Sequence, residues 1–306
     1  MPNVICAGNL VVDVNARPVD AMPAFGIVNF ADSIVTMPGG NGGNTACALG
    51  ALGIPVSLVA RIGKDSFGTF LLDHLSQRAV DTSHIIIDAG LPTGTTIAII
   101  NERGERSGVH SIGANTNLHE NDFRWESLTQ SNSYFHLCAY FLLPQLDGLP
   151  AARVLKEARA RGFTVSLDVS WDARGRWLGL LEPCLEYLDF FLPNEEEARA
   201  LTGKQTVEEM AQFLLDRGVK TVVIKRGPGG SYMRSKHESL ALPARRVEVV
   251  DTTGAGDTFA GGFLAGLNWG WNIEKCCRLG NAAAALHIAG PPGLHSKEQV
   301  VDFIDS

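Results

Sequence analysis

Short runs of continuous apolar residues alternate with stretches of helical period along most of this chain. The apolar runs, bounded by Gly, Pro or Asp, predict strands at residues 3–14, 56–61, 80–87, 163–168, 188–192 and 221–225. Apolar positions three and four apart predict helices at residues 46–52, 66–78, 151–161, 195–202 and 207–217, directly after Asp257, and at 273–288. Val- and Ile-rich runs between amphipathic helices are typical of an α/β fold with a mostly parallel sheet.

Two segments interrupt this alternation, at about residues 15–38 and 93–112. They lack helical period, and residues 95–101 followed by the turn at 102–105 predict a hairpin. Together they are expected to form a small sheet, which is either a lid over a site or a set of surface hairpins without function. With no repeat and no linker, residues 1–306 are expected to form a single domain with this discontinuous lid.

Composition and charge limit the kinds of partner that this protein is expected to bind. The 306 residues are 45% hydrophobic and 19% charged, and the net charge of −7 comes without any Lys/Arg-rich run, which argues against nucleic-acid binding. No apolar run has the length of a membrane span, and no signal segment precedes the first strand. The six cysteines contain no C-x-x-C pair or zinc spacing, so a reduced, cytoplasmic protein is expected.

The most informative stretch is DTTGAGDTFAGGF at residues 251–263, a Gly-rich turn directly before a helix. Unpaired N–H groups and the positive dipole at a helix start hold anions such as phosphate, and Gly254, Ala255 and Gly256 leave room for close approach. Asp257 would then lie beside the phosphate, where it can take a proton from an attacking hydroxyl. The alternative is a tight turn in which Asp257 or Thr258 only caps the helix.

A second Gly-rich cluster, GGNGGN at residues 39–44, also precedes a predicted helix. Its glycines allow a ligand to approach the backbone, and its two asparagines offer donors and acceptors for hydroxyl groups. This predicts a polyol-binding turn, although the cluster alone could be a flexible loop. Asp13 follows the first strand, where open α/β sheets bind ligands; it could also be an ordinary turn or cap residue.

Two other nucleotide-binding motifs can be excluded. Gly63-Lys64-Asp65 lacks the upstream glycine and the following Ser or Thr of a P-loop. The first strand leads into Gly8-Asn9 rather than G-x-G-x-x-G, so the dinucleotide-binding fingerprint is absent.

In their order and positions, the two Gly-rich clusters resemble the two signatures of the PfkB (ribokinase-like) carbohydrate kinase family. The resemblance covers nearly the whole chain and includes RIGKDSFG at 61–68, GAN at 113–115, LPNEEEA at 192–198, VIKRGPGG at 223–230 and GNAAAA at 280–285. It implies a three-layer α/β/α fold with a β-sheet lid, and an ATP-dependent kinase. The DTTGAGD motif is the most specific part of the match.

The resemblance also implies roles for single residues. Asp257 corresponds to the catalytic base, and Gly254, Ala255 and Gly256 correspond to the anion hole. The positions on the substrate side are Asp13, Gly40, Asn41, Gly43 and Asn44. Those on the ATP side are Asn194, Glu197, Lys225, Gly227, Gly230 and Asn281. Glu197 would organise Mg²⁺ through water, and in some members the places of Asp251 and Thr253, with loop carbonyls near 291–295, help hold K⁺.

Departures from the family pattern bear on the acceptor. Asn41 stands where kinases of ribose and of phosphorylated fructose carry Lys, which argues against a phosphorylated acceptor. Residues 137–145 lack the carboxylate that ribokinase supplies to ribose. The expected acceptor is therefore a hydroxyl of a small free sugar or related polyol.

Two rival functions remain open at this stage. The first is a nucleoside kinase, with Phe25, Phe30 or Tyr140 closing over a base. The second is a non-catalytic ligand sensor, which would not need the base at Asp257.

Three further expectations concern side chains and assembly. A homodimer through the lid is expected, because lid strands often pair between subunits in this family. Arg106 is expected to be a solvated hairpin charge. The histidines His110, His119, His136 and His287 are interpreted as ordinary residues without a catalytic or metal-binding role.

Overall fold

A computed structural model describes residues 4–21, 24–103, 105–128, 133–290 and 295–305. The strands are β1 (Val4–Ala7), β2 (Val11–Arg17), β3 (Ser33–Gly39), β4 (Val56–Gly63), β5 (Val80–Asp81), β6 (Ile85–Asp88), β7 (Gly94–Ile100), β8 (Arg106–Ser111), β9 (Tyr134–Tyr140), β10 (Thr164–Val169), β11 (Phe190–Phe191), β12 (Thr221–Lys225), β13 (Ser231–Ser235) and β14 (Ser239–Leu242). The helices are α1 (Asn41–Ala51), α2 (Ser66–Ser76), α3 (Trp125–Leu128), α4 (Leu149–Ala160), α5 (Trp177–Leu185), α6 (Glu195–Thr202), α7 (Val207–Leu215), α8 (Ala255–Asn268), α9 (Ile273–Ile288) and α10 (Lys297–Asp305).

Within the described ranges, ten strands form the central sheet. Its order is β14-β13-β12-β11-β10-β9-β1-β4-β5, and β6 pairs with β4 beyond the end of β5. All pairings from β12 to β6 are parallel, and only the pairings of β13, with β12 and with β14, are antiparallel. The predicted mostly parallel sheet is therefore confirmed.

Helices cover both faces of this sheet, because alternate residues of each strand point to opposite sides. In β1, Ile5 and Ala7 join a buried cluster with α4, α5, α6 and α7. Val4 and Cys6 join the opposite cluster with α1, α2, α8 and α9. This is the three-layer arrangement that the family resemblance implies.

A separate four-stranded sheet has the order β3-β2-β7-β8. One of its faces carries Asp13, Asn15, Met37 and Arg106, which line a cavity. Its other face is apolar, with Val14, Ile34, Ile97 and Val109. Its strands come from the two segments that interrupt the helical alternation, although the first strand begins at Val11, ahead of the predicted segment.

Several predicted boundaries were wrong. The single strand predicted at 3–14 is two strands in different sheets, because the chain leaves the central sheet after Ala7. Residues 80–87 likewise form two short strands, β5 and β6. Helix α1 begins at Asn41, inside the glycine cluster: a Cβ on Gly42 would lie 3.0 Å from the Gly8 Cα, so close packing of the backbone outweighs the low helix propensity of glycine.

Some elements were not predicted. They are β9, β13, β14, α3, α5 and α10. The six cysteines are all buried and unbonded. Within the described chain, no helix is both long enough and apolar enough to cross a membrane.

Candidate active site

Polar side chains collect at the carboxyl end of the parallel strands, where open α/β sheets form their binding crevice. Asp168 lies near the end of β10, and Lys225 is the last residue of β12. Asn194 follows β11 and forms a bridge with Lys225. The first turn of α8 meets this edge, so that the two ends of the chain meet at one site.

The carboxylate of Asp257 is held from two sides by α1. Asn41 Nδ2 donates to Asp257 Oδ1 at 2.9 Å, and Asn44 Nδ2 donates to Oδ2 at 2.8 Å. Thr45 Oγ1 adds a bond of 3.4 Å to the Asp257 carbonyl oxygen. The two asparagine amides therefore orient the carboxylate, a contact that the sequence did not predict.

Burial raises the pKa of Asp257, whose residue is only 7% exposed. The hydrogen bonds from Asn44 and Asn41 and the charge of Lys225 oppose this, whereas the charge of Asp168 adds to it. A raised pKa brings a carboxylate closer to the range in which a general base works best at neutral pH.

The turn before α8 is shaped by glycine. Gly254 is the N-cap in the left-handed region at φ 77°, and a Cβ there would lie 3.3 Å from both Asn44 Nδ2 and His287 Nε2. A Cβ on Gly256 would lie 3.3 Å from Lys225 Nζ. The N–H of Ala255 already donates to the Thr252 carbonyl at 3.2 Å. The glycines thus let an asparagine and a lysine approach the helix start.

Lys225 and Asp168 form a buried ion pair, with 2.5 Å between Lys225 Nζ and Asp168 Oδ2. Burial alone would lower the pKa of Lys225, but Asp168, Glu197 and Asp257 together raise it, so the ammonium stays protonated. Sequence reasoning missed Asp168 as a site residue. Its place at the carboxyl end of a strand, the rule that identified Asp13, could have found it.

Asn194 and Glu197 form a reciprocal capping box at the start of α6. Asn194 Oδ1 accepts from the Glu197 N–H at 2.8 Å, and Glu197 Oε2 accepts from the Asn194 N–H at 2.7 Å. Burial raises the pKa of Glu197 to about 7. In the described part of the chain, no three His, Cys, Asp or Glu side chains lie close enough to hold a metal. Glu197 keeps one carboxylate oxygen outside the capping box, and a carboxylate oxygen is a donor that fits Mg²⁺ bound through water.

Of the residues predicted on the ATP side, Gly230 and Asn281 meet at the end of β14, and Gly227 lies in the turn after β12. Asn281 Nδ2 donates to the Leu242 carbonyl at 3.2 Å, and a Cβ on Gly230 would lie 2.0 Å from that same oxygen. Gly227, at φ 52°, begins the turn between β12 and β13, and its carbonyl accepts from the Gly230 N–H. Glycine is required at position 230 by this close approach.

A cavity of about 340 Å³ lies between the small sheet, α1, α2 and the turn before α8. It brings together Asp13, Gly43, Asn44, Asp251, Thr253 and Gly254. Gly40 and Asn41 do not line it. Gly40 is the N-cap of α1 at φ 92°, and a Cβ there would meet the Asn9 carbonyl at 2.6 Å.

Two side chains that the sequence did not assign to the site line the cavity. Arg106 was expected to be a solvated hairpin charge, and it stays partly exposed while its Nη2 lies 3.6 Å from Asp13 Oδ1. His287 was expected to have no catalytic or metal-binding role, and its Nε2 contacts the Thr253 carbonyl oxygen. Neither contact follows from sequence spacing, because each joins elements that are far apart in the chain.

The aromatic residues considered for a nucleobase do not line the cavity. Tyr140 is fully buried, and its hydroxyl donates to the Leu180 carbonyl at 2.7 Å. Phe25 and Phe30 are almost entirely exposed. The predicted closure of these rings over a base is therefore not formed in this structure.

Comparison with known proteins identifies the family. The sequence model described as pfkB family carbohydrate kinase matches residues 1–294. The chain belongs to the pfkB family of carbohydrate kinases. It is 30% identical over 275 residues to a ribokinase of Haemophilus influenzae (87% of each chain), and 35% identical over 255 residues to a cytidine kinase of Thermococcus kodakarensis (80% of this chain, 86% of the relative). The crystal structure of a Thermotoga maritima ribokinase superposes with a TM-score of 0.85 at 28% identity, with all of both chains covered.

Membership of the pfkB family makes this chain an ATP-using phosphotransferase with an alcohol group as acceptor. The named relatives include sugar kinases and a nucleoside kinase, so the acceptor is a carbohydrate or a nucleoside. The ribokinase-like fold is confirmed by the same superposition.

Proposed function

We propose that this protein transfers the γ-phosphate of ATP to a hydroxyl of a small free sugar or related polyol, with Asp257 as the base. The observation that carries the proposal is the buried Asp257 carboxylate, oriented by two amide groups at a glycine-rich helix start beside Lys225. A non-catalytic sensor would have no use for a carboxylate held in this way.

In the proposed reaction, Asp257 accepts the proton of the acceptor hydroxyl while the oxygen forms a bond to the γ-phosphorus. The bond to the bridging oxygen breaks in line, and ADP leaves. The N–H groups of the Gly254–Gly256 turn and the positive end of α8 stabilise the charge on the transferring group. Lys225, next to Gly256, adds a fixed positive charge.

The nucleotide is proposed to lie along Asn194, Glu197 and Lys225 towards Gly227, Gly230 and Asn281. Glu197 has one carboxylate oxygen outside the capping box, and that oxygen would hold Mg²⁺ through water. When bound, Mg²⁺ neutralises phosphate charge. The Thr253 carbonyl, one of the positions that the family resemblance gives to a monovalent cation, accepts a hydrogen bond from His287 in this structure.

The acceptor is proposed to lie between Asp13, the start of α1 and the small sheet. The small sheet would act as a lid, and the chain as a whole would form a single kinase domain. Gly40 and Gly43 let the α1 backbone approach, and Asn41 and Asn44 hold the base. Arg106 balances the charge of Asp13 within the cavity. A neutral Asn41 and this balanced pair favour an uncharged acceptor over a sugar phosphate.

A nucleoside is the second candidate acceptor, and the shape of the cavity supports it. Beyond Asp13 and Gly43 the cavity continues along α2 to Leu71, Leu75 and His74. Burial, followed by the charge of Arg78, lowers the pKa of His74 to about 4, so that end of the cavity carries a neutral imidazole. The cytidine kinase relative is a second reason to test nucleosides.

We also propose that the protein forms a homodimer and is located in the cytoplasm. The lid face that points away from the cavity exposes Ile34, Ile97 and Val109 at 70%, 50% and 63%, which supports a homodimer through the lid. Six buried cysteines without a disulfide support a reducing, cytoplasmic location.

The test is ADP release with ATP and Mg²⁺ against free sugars, sugar acids, sugar phosphates and nucleosides. Turnover with one free sugar or polyol supports the proposal, and turnover with a nucleoside supports the second candidate. Asp257→Asn should lower kcat by about 10²–10⁴-fold, since it removes a general base, while ATP binding is retained. Tight ATP binding without turnover on any acceptor would favour a sensor.

A further inference from the structure

His287 lies in the last turn of α9 and faces the turn that leads into α8. Its Nε2 is 2.8 Å from the Thr253 carbonyl oxygen. Because a carbonyl only accepts, Nε2 must carry the proton and donate it. Nδ1 is buried without a hydrogen-bond partner in the described residues, so the Nε2 bond alone orients the ring.

The same turn is tied down by two further hydrogen bonds. The Thr253 N–H donates to Asp251 Oδ1 at 2.8 Å, and the Val250 N–H donates to the Ile288 carbonyl at 2.8 Å. The segment 250–253 is thus attached to the end of α9 by its backbone at one side and by the imidazole at the other.

The Thr253 carbonyl belongs to the same peptide unit as the Gly254 N–H. A trans peptide is planar and its C=O and N–H point in opposite directions, so a bond that fixes the carbonyl also fixes the direction of that N–H. A donor on the carbonyl also polarises the unit and strengthens the N–H as a donor. His287 therefore acts on the anion hole without contacting the phosphate.

A monovalent cation would act at the same place. The family resemblance assigns Asp251 and Thr253 to such an ion, and K⁺ in proteins is held by carbonyl oxygens. Here the Thr253 carbonyl accepts from an imidazole N–H, and Asp251 Oδ1 accepts from a backbone N–H. Each of these two oxygens therefore already has an N–H donor, and at the Thr253 carbonyl the imidazole supplies the positive partner that an ion would supply. Of the loop positions 291–295 named with them, 291–294 lie outside the described residues.

We infer that His287 replaces the monovalent cation: its imidazole holds the Thr253–Gly254 peptide for phosphoryl transfer, and the enzyme works without K⁺. The inference rests on the proposed function. His287 is a positioning residue, because it acts through the Thr253 carbonyl and touches no reacting atom.

The first test compares the wild-type enzyme in KCl and in tetramethylammonium chloride at equal ionic strength. We expect the values of kcat/KM for the best acceptor in the two salts to agree within about twofold, since no transition-state interaction is lost. Stimulation by K⁺ of about tenfold or more would overturn it while leaving the proposed function intact. If no acceptor is phosphorylated in either salt, the proposed function fails. The inference is then tested by the melting temperature in the two salts. A higher melting temperature in KCl alone means that K⁺ binds, and it overturns the inference.

The second test uses variants of His287. His287→Leu removes the donor but keeps bulk, and should lower kcat by about tenfold or more, with part of the loss restored by K⁺. His287→Gln keeps an N–H donor and should retain more activity without K⁺. Arg278→Leu is the matched control, because Arg278 lies on the same helix and pairs with Glu274 instead of with the turn before α8. Wild-type rates in His287→Leu, or an equal K⁺ response in Arg278→Leu, would contradict the inference.

Discussion

At the scale of single residues, the site is a set of opposed charges that are largely buried. Lys225 is the only cation whose charge acts on Asp168, Glu197 and Asp257 together within the described chain. Three carboxyl groups around one ammonium leave excess negative charge. Burial is the main cause that raises the pKa of Glu197 and Asp257; the charge of Asp168 adds to it, and the charge of Lys225 opposes it. An ATP-bound Mg²⁺ would relieve this excess, because it brings positive charge to the same place.

Asp168→Asn should move the acid limb of the kcat/KM profile to lower pH by about one unit. The charge of Asp168 raises the pKa of Asp257, so its removal lowers that pKa, and the base then stays ionised to lower pH. The measurement is kcat/KM against pH with saturating ATP. Asp189→Asn is the control, since Asp189 pairs with Lys220 at 2.6 Å before the strands begin. An acid limb that moves equally in both variants would rule out this coupling.

At the scale of elements, helix starts do most of the positioning. Helix α8 presents Asp257, α1 supplies the two amides that hold it, and α6 begins with the capping box of Glu197. Each start is set by a local requirement: a left-handed glycine at α8 and α1, and a reciprocal cap at α6.

Gly254→Ala should lose both stability and activity. A left-handed alanine costs about 1–2 kcal/mol, and its Cβ would press on Asn44 and His287 at 3.3 Å. Gly270→Ala is the matched control, because Gly270 has φ 74° and open space around its Cβ position. Both variants should have similarly reduced free energies of unfolding, and only Gly254→Ala should lower kcat. Equal kcat values would mean that the turn does not govern the chemistry.

Asn194→Ala should reveal whether the α6 cap serves ATP. Loss of the cap costs about 1 kcal/mol of stability, and it frees Glu197 from its fixed orientation. Thr206→Ala removes the equivalent cap of α7, where Thr206 and Glu209 form the same capping box. We expect similar losses of stability from both variants, and a raised KM for ATP only in Asn194→Ala. If KM for ATP is unchanged in both variants, the α6 cap contributes only to stability.

At the scale of the whole molecule, the small sheet has two different faces. Asp13 and Arg106 face the cavity, while Ile97 and Val109, cross-strand neighbours, face outward. An exposed apolar sheet face of this kind is typical of an interface.

Ile97→Asp combined with Val109→Asp should convert a dimer into a monomer, because the charges would be buried without partners in the interface. The measurement is molar mass by light scattering at several protein concentrations. Leu149→Asp, at an exposed position on α4, should keep the mass of the wild type. A monomeric wild-type protein would refute the dimer directly.

The sequence by itself determined the family and the α/β class, and it proposed residues for the chemistry. It could do so because a left-handed turn needs glycine and a phosphate site at a helix start needs a short, ordered motif, and both lie in consecutive residues. Of the fold, the helices at 195–202 and 273–288 and the strand at 221–225 were predicted to the residue. Other elements, such as β9 and α10, were not predicted.

Only the tertiary structure decided which partners these residues meet. Asn41 and Asp257 are 216 positions apart, Asp168 and Lys225 are 57 apart, and Thr253 and His287 are 34 apart. No periodicity links such positions, because packing of the sheet and its helices sets their distances. The same packing buries the charges, and burial sets the pKa of Asp257 and Glu197. The sequence therefore names Asp257 as the proposed base, and the fold decides how its carboxylate is held.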